Sequence, residues 1–209
     1  MMRIYENYYD IIVLPPKKVQ DKLIALSEKL TGGKGLWQLG EREYIPHLSL
    51  YHIPVKPTDF EQLAQKTRDV ISRVSFGEIR CQKAEKFDPH NSVFITTNNP
   101  DWLVKLHQEI IQKTLPLFDW SYDVKGIWHA EQFPDEARAN FDRYGTPMAG
   151  SYFQPHFTLT IFPDRNTMTE RYSTFSFEPF AFQADEVAIG QLGDHIQIAS
   201  VIKRYPKKQ

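Results

Sequence analysis

Two short runs in this chain pair an imidazole with a hydroxyl two residues on: His47-Leu48-Ser49 and His156-Phe157-Thr158. Side chains on a β-strand alternate faces, so His47 and Ser49 share one side, about 6–7 Å apart along the strand. Leu48 and Leu50 then face the core that fixes the strand. His156, Thr158 and Thr160 share a face in the same way, against Phe157, Leu159 and Ile161. Two such units suit acid–base chemistry on a phosphodiester. One neutral imidazole takes a proton from water while a second, protonated one supplies a proton to the leaving oxygen, and a pKa near ~6.5 lets both forms coexist at neutral pH. Ser49 and Thr158 are placed to donate hydrogen bonds to non-bridging oxygens, where charge collects as phosphorus becomes five-coordinate. A cyclic phosphate is already strained, so two histidines suffice for it without a metal.

The flanks of the two runs echo each other. Residues 44–54 and 153–163 both read aromatic, any residue, Pro, His, apolar, hydroxyl, Leu, and both end in Pro. That echo predicts two related structural units. A third Pro-His-x-hydroxyl run, Pro89-His90-Asn91-Ser92, has the turn-prone Asn91 after its histidine and reads as a hairpin turn, which removes His90 from the catalytic candidates. By alternation His52 points away from the reactive face, while Tyr51 and Thr160 share that face and either line the cleft or pack at the sheet edge. Tyr152, with Phe153, Trp128 and Tyr144, offers a further stacking surface, against the alternative that these aromatics are core. His107, four residues after Leu103, borders the buried side of its helix. His129 and His195 have no neighbours at metal-ligand spacing, and Cys81 is the only cysteine. No metal and no cofactor is expected.

The elements that hold these residues can be drawn from periodicity and capping. Val19, Leu23, Leu26 and Leu30 mark a helix over 16–30, stopped by Gly32 and Gly33. A capping box at Thr58–Glu61 opens a second helix with Leu63, Thr67, Val70 and Val74 on one side. Asn99 caps a third with Pro100 at its first position, carrying Leu103, Leu106, Ile110 and Leu117. A fourth runs from Pro134 to Tyr144 and stops at Gly145. Strands are expected at 5–14, 47–53, 75–86, 92–98, 121–128, 155–162, 175–189 and 194–203. Strands and helices mix without βαβ alternation, and turns such as Leu192–His195 favour antiparallel hairpins. The expected class is α+β, with two sheets and helices on their outer sides.

Composition narrows the function. Of 209 residues, 41% are hydrophobic and 24% charged, the balance of an ordinary globular protein. No run approaches the ~20 apolar residues of a membrane helix. The amino terminus lacks a secretory pattern, and a lone cysteine fits a reducing cytoplasm. With 25 basic against 26 acidic residues the net charge is −1, which disfavours a protein that grips long duplexes. The basic run Lys203–Lys208 reads as a solvated terminus. A nucleic-acid substrate would be an end or a small fragment, handled by a monomer.

The two tetrapeptides His47-Leu48-Ser49-Leu50 and His156-Phe157-Thr158-Leu159 resemble the repeated signature of the two-histidine (2H) phosphoesterases, which include 2′–5′ RNA ligase-like proteins and 2′,3′-cyclic nucleotide phosphodiesterases. The stretch from Phe76 to Phe118 and the closing strands at 175–203 are also similar to that family. The resemblance implies one two-lobed, pseudo-twofold α+β domain over residues 1–209, with a central cleft that receives one motif from each lobe. His47 and His156 would be general acid and base, and Ser49 and Thr158 phosphate binders. The substrate would be a 2′,3′-cyclic phosphate or 2′–5′ phosphodiester of RNA 3′ ends, oligonucleotides or small nucleotides, taken without cofactor. A ligase, or a non-catalytic protein gripping RNA ends on the same fold, are the rivals. The motifs lie farther apart than in compact relatives, and the excess falls at 128–150, an expected insertion that either flanks the cleft and helps select substrates or is a surface embellishment without contact to it.

Overall fold

The computed structural model describes residues 2–207. Its strands are β1 (Ile4–Leu14), β2 (Leu48–Pro54), β3 (Glu78–Phe87), β4 (Ser92–Thr97), β5 (His156–Ile161), β6 (Phe180–Gln183), β7 (Glu186–Gly193) and β8 (Gln197–Pro206). They form two four-stranded antiparallel sheets, ordered β2-β1-β7-β8 and β5-β4-β3-β6. In each sheet the motif strand, β2 or β5, lies at an edge, and the two edges approach one another. The expected α+β class with two lobes is what the chain adopts.

Helix α1 (Lys17–Thr31) follows β1 in sequence but packs on β5 of the other sheet, burying Leu23, Ser27 and Leu30. It ends at Gly32 in the left-handed conformation, as the glycine pair predicted. Helices α2 (Phe60–Ile71) and α3 (Asp101–Thr114) pack together, and α3 covers β2. The expected caps are not used. Thr58 and Asp59 close a 3₁₀ turn instead, and Asn99 turns back to donate to the Phe153 carbonyl at 3.3 Å. Two further helices lie between α3 and β5: the short α4 (Val124–Trp128) and α5 (Asp135–Tyr144). Helix α5 stops at Gly145, whose φ of 70° and contact with the Phe118 ring leave no room for a Cβ.

Two elements differ from expectation. Residues 121–128 are not a strand: Asp123 accepts a hydrogen bond from the Gly126 amide at 2.9 Å and starts α4. The expected strand 175–189 opens as loop and is divided between β6 and β7, while Asp164 caps an unforeseen helix, α6 (Arg165–Ser173). That helix buries only Met168, so it carries no apolar stripe by which to be recognised. The basic run is also more than a loose tail: Lys203 to Pro206 belong to β8, and the buried Tyr205 donates to the Ala64 carbonyl, whereas Lys208 lies outside the described residues. Among the described residues no helix is long and apolar enough to cross a membrane.

Candidate active site

Both motif histidines are held by the same local device. His47 Nδ1 lies 2.7 Å from the Ile45 carbonyl and His156 Nδ1 lies 2.7 Å from the Gln154 carbonyl. A carbonyl only accepts, so Nδ1 carries the proton in each ring and Nε2 is left free for proton exchange. The intervening residues are Pro46 and Pro155, and a residue before proline is confined to extended backbone, which offers its carbonyl to the histidine that follows. The shared Pro-His is therefore the sequence signal for the tautomer. Both rings line one cavity of about 620 Å³ together with Ser49 and Thr158. Burial pushes both imidazoles below their ordinary pKa; the Asp10 carboxylate opposes this chiefly at His47, and the two rings are close enough for His47 to disfavour a proton on His156.

Beyond the hydroxyls the two strands carry matching irregularities. Ile12 pairs with Ser49 and Ile11 with Tyr51, which leaves Leu50 as an extra residue in β2. Phe94 pairs with Thr158 and Val93 with Thr160, which leaves Leu159 extra in β5. Each bulge shifts the alternation by one residue. His52 and Ile161 therefore line the cavity, contrary to the expectation that His52 points away. Thr160 is not among the lining residues: it is fully buried and donates to the Trp37 carbonyl at 2.6 Å. Tyr51 does reach the cavity, but it is 1% exposed and its hydroxyl is committed to the Tyr144 carbonyl. Tyr152 lines the cavity as expected, with its hydroxyl on Glu136.

The bulges are pinned from behind. His107 on α3 places Nδ1 2.7 Å from the Leu50 carbonyl, and Ser27 on α1 donates to the Leu159 carbonyl at 2.7 Å. Both side chains are buried, and burial pushes the His107 imidazole down to about 4, so it is neutral and its Nδ1–H is the donor. His107 also stacks on Phe153, with ring centroids 3.8 Å apart.

The lobes differ in charge. In the first, Asp10 is fully buried; its Oδ2 accepts from Ser49 Oγ at 2.6 Å and lies 3.3 Å from His52 Nε2 and 3.9 Å from His47 Nε2. Asp10 pairs with His52 across β1 and β2; at the corresponding place in the second lobe Ser92 pairs with Ile161. The second lobe thus has no carboxylate there. Phe94 packs on the His156 ring instead, centroids 4.9 Å apart. Asp10 was outside the sequence-based candidates, because nothing in Tyr8-Tyr9-Asp10-Ile11 marks it until β1 is paired with β2.

Segment 128–150 forms part of the cavity wall through Trp128, His129, Phe133, Ala137, Thr146 and Met148. Trp128 is tied to β1 by donating to Tyr8 Oη at 2.7 Å and stands edge-on to His52. Phe133 approaches the His90 ring, centroids 5.7 Å apart, so the segment meets the β3–β4 turn across the cavity. His90 sits in the expected hairpin turn, yet its ring lines the cavity, as do those of His129 and His195. Among the described residues no group of histidines, cysteines and carboxylates could hold a metal ion.

Two antiparallel sheets, each sending one His-x-hydroxyl motif from an edge strand into a shared cavity, define a two-histidine phosphoesterase. The chain belongs to the 2′-5′ RNA ligase superfamily, whose model matches residues 38–195. Solved structures show the same fold at low identity. The Escherichia coli LigT complex with phosphate is 11% identical, with all of both chains covered and a TM-score of 0.56. LigT complexed with ATP is 13% identical over 97% of this chain and 99% of that one, with a TM-score of 0.57. TT0787 of Thermus thermophilus is 13% identical over 95% and 97%, with a TM-score of 0.59. No curated protein sequence matches the chain.

Proposed function

We propose that this chain is a phosphodiesterase that opens a 2′,3′-cyclic phosphate or a 2′–5′ phosphodiester of RNA ends or nucleotides, using His47 and His156 as its acid–base pair and no cofactor. The observation that carries this reading is the pair of imidazoles, each locked through Nδ1 and each presenting Nε2 to one cavity. His156 Nε2 takes a proton from water as the water oxygen bonds to phosphorus. The bond from phosphorus to the ribose oxygen breaks, and that oxygen takes the proton carried by His47 Nε2. Burial disfavours a proton on both rings, but the carboxylate of Asp10 beside His47 favours the protonated form there, which supports His47 as the acid. Run backwards, the same pair would close a ring or join two ends.

Thr158 is placed to donate to a phosphate oxygen. Ser49 donates to Asp10, so its hydroxyl must rotate toward the phosphate when substrate binds, leaving His52 to satisfy Asp10. That LigT has been solved with phosphate, with 3′-AMP and with ATP supports a nucleotide ligand for this site too. The test is turnover of 2′,3′-cyclic mononucleotides and 2′–5′ dinucleotides in the presence of a chelator. Hydrolysis by the wild type, lost in His47→Ala and His156→Ala, is the expected result. A folded wild type that binds these ligands and hydrolyses none would make it a binding protein on this fold.

A further inference from the structure

The group attached to the phosphate is constrained by the walls of the cavity. Around the motif side chains the lining is largely apolar and aromatic, with Phe87, Phe94, Ile127, Trp128, Phe133 and Met148. Among the described residues no lysine, arginine, aspartate or glutamate lines it. Asp10 lies behind Ser49 and His52, fully buried. The basic side chains that line the cavity are all imidazoles: His47, His52, His90, His129, His156 and His195.

A phosphodiester carries one negative charge, which one imidazolium matches. A second phosphate held against this wall would meet neither lysine nor arginine. An anion buried without a fixed partner carries a desolvation penalty comparable to what a whole weak ligand gains by binding. Proteins built to hold oligonucleotides along their backbone place lysine and arginine along the phosphate path, and this wall does not. The volume of about 620 Å³ suits one small ligand. Phe133 and Phe87 both approach the His90 ring, at 5.7 and 5.1 Å between centroids, and add aromatic surface to this wall.

Building on the phosphodiesterase reading above, we propose that the cavity selects a single, singly charged phosphodiester joined to one flat apolar group, and discriminates against substrates with a second phosphate close to the first. A cyclic mononucleotide fits this class; a long RNA end does not. Of the substrates open to the reaction, the small ones are therefore the preferred ones.

The experiment compares kcat/KM of the full chain on four compounds: adenosine 2′,3′-cyclic phosphate, its 5′-phosphorylated form, its neutral 5′-acetyl form, and a trinucleotide ending in the same cyclic phosphate. The 5′-phosphate and the trinucleotide should each react at least about tenfold more slowly than the parent, while the acetyl form stays within about threefold. Equal or faster turnover of either charged substrate would overturn the inference and leave the phosphodiesterase reading standing. An acetyl form that loses as much as the phosphate would make bulk the discriminator and also overturn it. No turnover of any of the four, nor of a 2′–5′ dinucleotide, by folded protein would remove the phosphodiesterase reading, and the inference with it.

Discussion

Each candidate catalytic imidazole spends one nitrogen on a backbone carbonyl and keeps the other for chemistry, so replacing the ring removes proton transfer. His47→Ala and His156→Ala should each lower kcat by about two to four orders of magnitude, the range for losing a positioned acid or base. Near wild-type turnover in a folded variant would sink the assignment. The pH profile tests the same pair more closely. Burial pushes both imidazoles below their ordinary value. Activity falls on the acid side as the base gains a proton and on the alkaline side as the acid loses one. With both pKa values lowered, the bell in kcat/KM, which reports the free enzyme, should peak below pH ~6.5. An anionic substrate favours both protonated rings, so the kcat profile should be displaced to higher pH. Asp10→Asn removes the charge that favours a proton on His47, so its alkaline limb should move to lower pH. An unmoved limb would detach Asp10 from the acid. Ser49→Ala and Thr158→Ala should also slow turnover, by less than the loss of a histidine.

At the scale of the element, both bulges follow the motif hydroxyl and both are held by a buried side chain from the helix behind. This explains what could and could not be read from sequence. Alternation correctly paired His47 with Ser49 and His156 with Thr158, because these precede the extra residue. It failed for His52 and Thr160, which follow it. A bulge is a property of the pairing between two strands, and one strand's residues do not declare it. The same limit hid Asp10, whose partners arrive 39 and 42 residues later in the chain. At 121–128 the β-branched residues suggested a strand, and the local cap of Asp123 decided otherwise. The helix before Gly145 was legible because its charges, apolar positions and stop all agree.

His107 gives the element scale its own prediction. Its pKa is about 4 in the fold and ~6.5 in the unfolded chain, so between those values the unfolded state binds more protons. The stability it contributes is therefore present above pH ~6.5, is lost as pH falls toward 4, and changes no further below that. By linkage this is at most on the order of 3 kcal/mol. In urea titrations across that window, His107→Leu should show a shallower loss of stability with acid than the wild type. It should also start lower at pH 7, by about 1–3 kcal/mol, because the Leu50 carbonyl loses its donor. Parallel slopes for the two proteins would mean that the fold does not lower the His107 pKa.

For the whole molecule, the question is how two sheets with separate motifs become one closed site. Helix α1 begins the answer, since it leaves β1 of one sheet to pack on β5 of the other and so ties the lobes covalently and by burial. Segment 128–150 continues it from the open side, anchored to β1 through Trp128 and Tyr8 and reaching His90 of the other sheet through Phe133. Long connections of this kind in compact domains are more often functional than inert. We expect the segment to act as a selective cover rather than as packing. Replacing residues 131–143 with a tight turn, while keeping Trp128 in place, should open the wall to water and to longer substrates. The ratio of kcat/KM for a cyclic mononucleotide to that for an RNA end bearing the same cyclic phosphate should then fall, by about tenfold or more, as the mononucleotide loses its stacking surface. Phe133→Ala keeps the rest of the segment and should move the ratio in the same direction by a smaller amount. An unchanged ratio in both folded variants, whatever the absolute rates, would reduce the segment to packing and leave substrate choice to the strands alone.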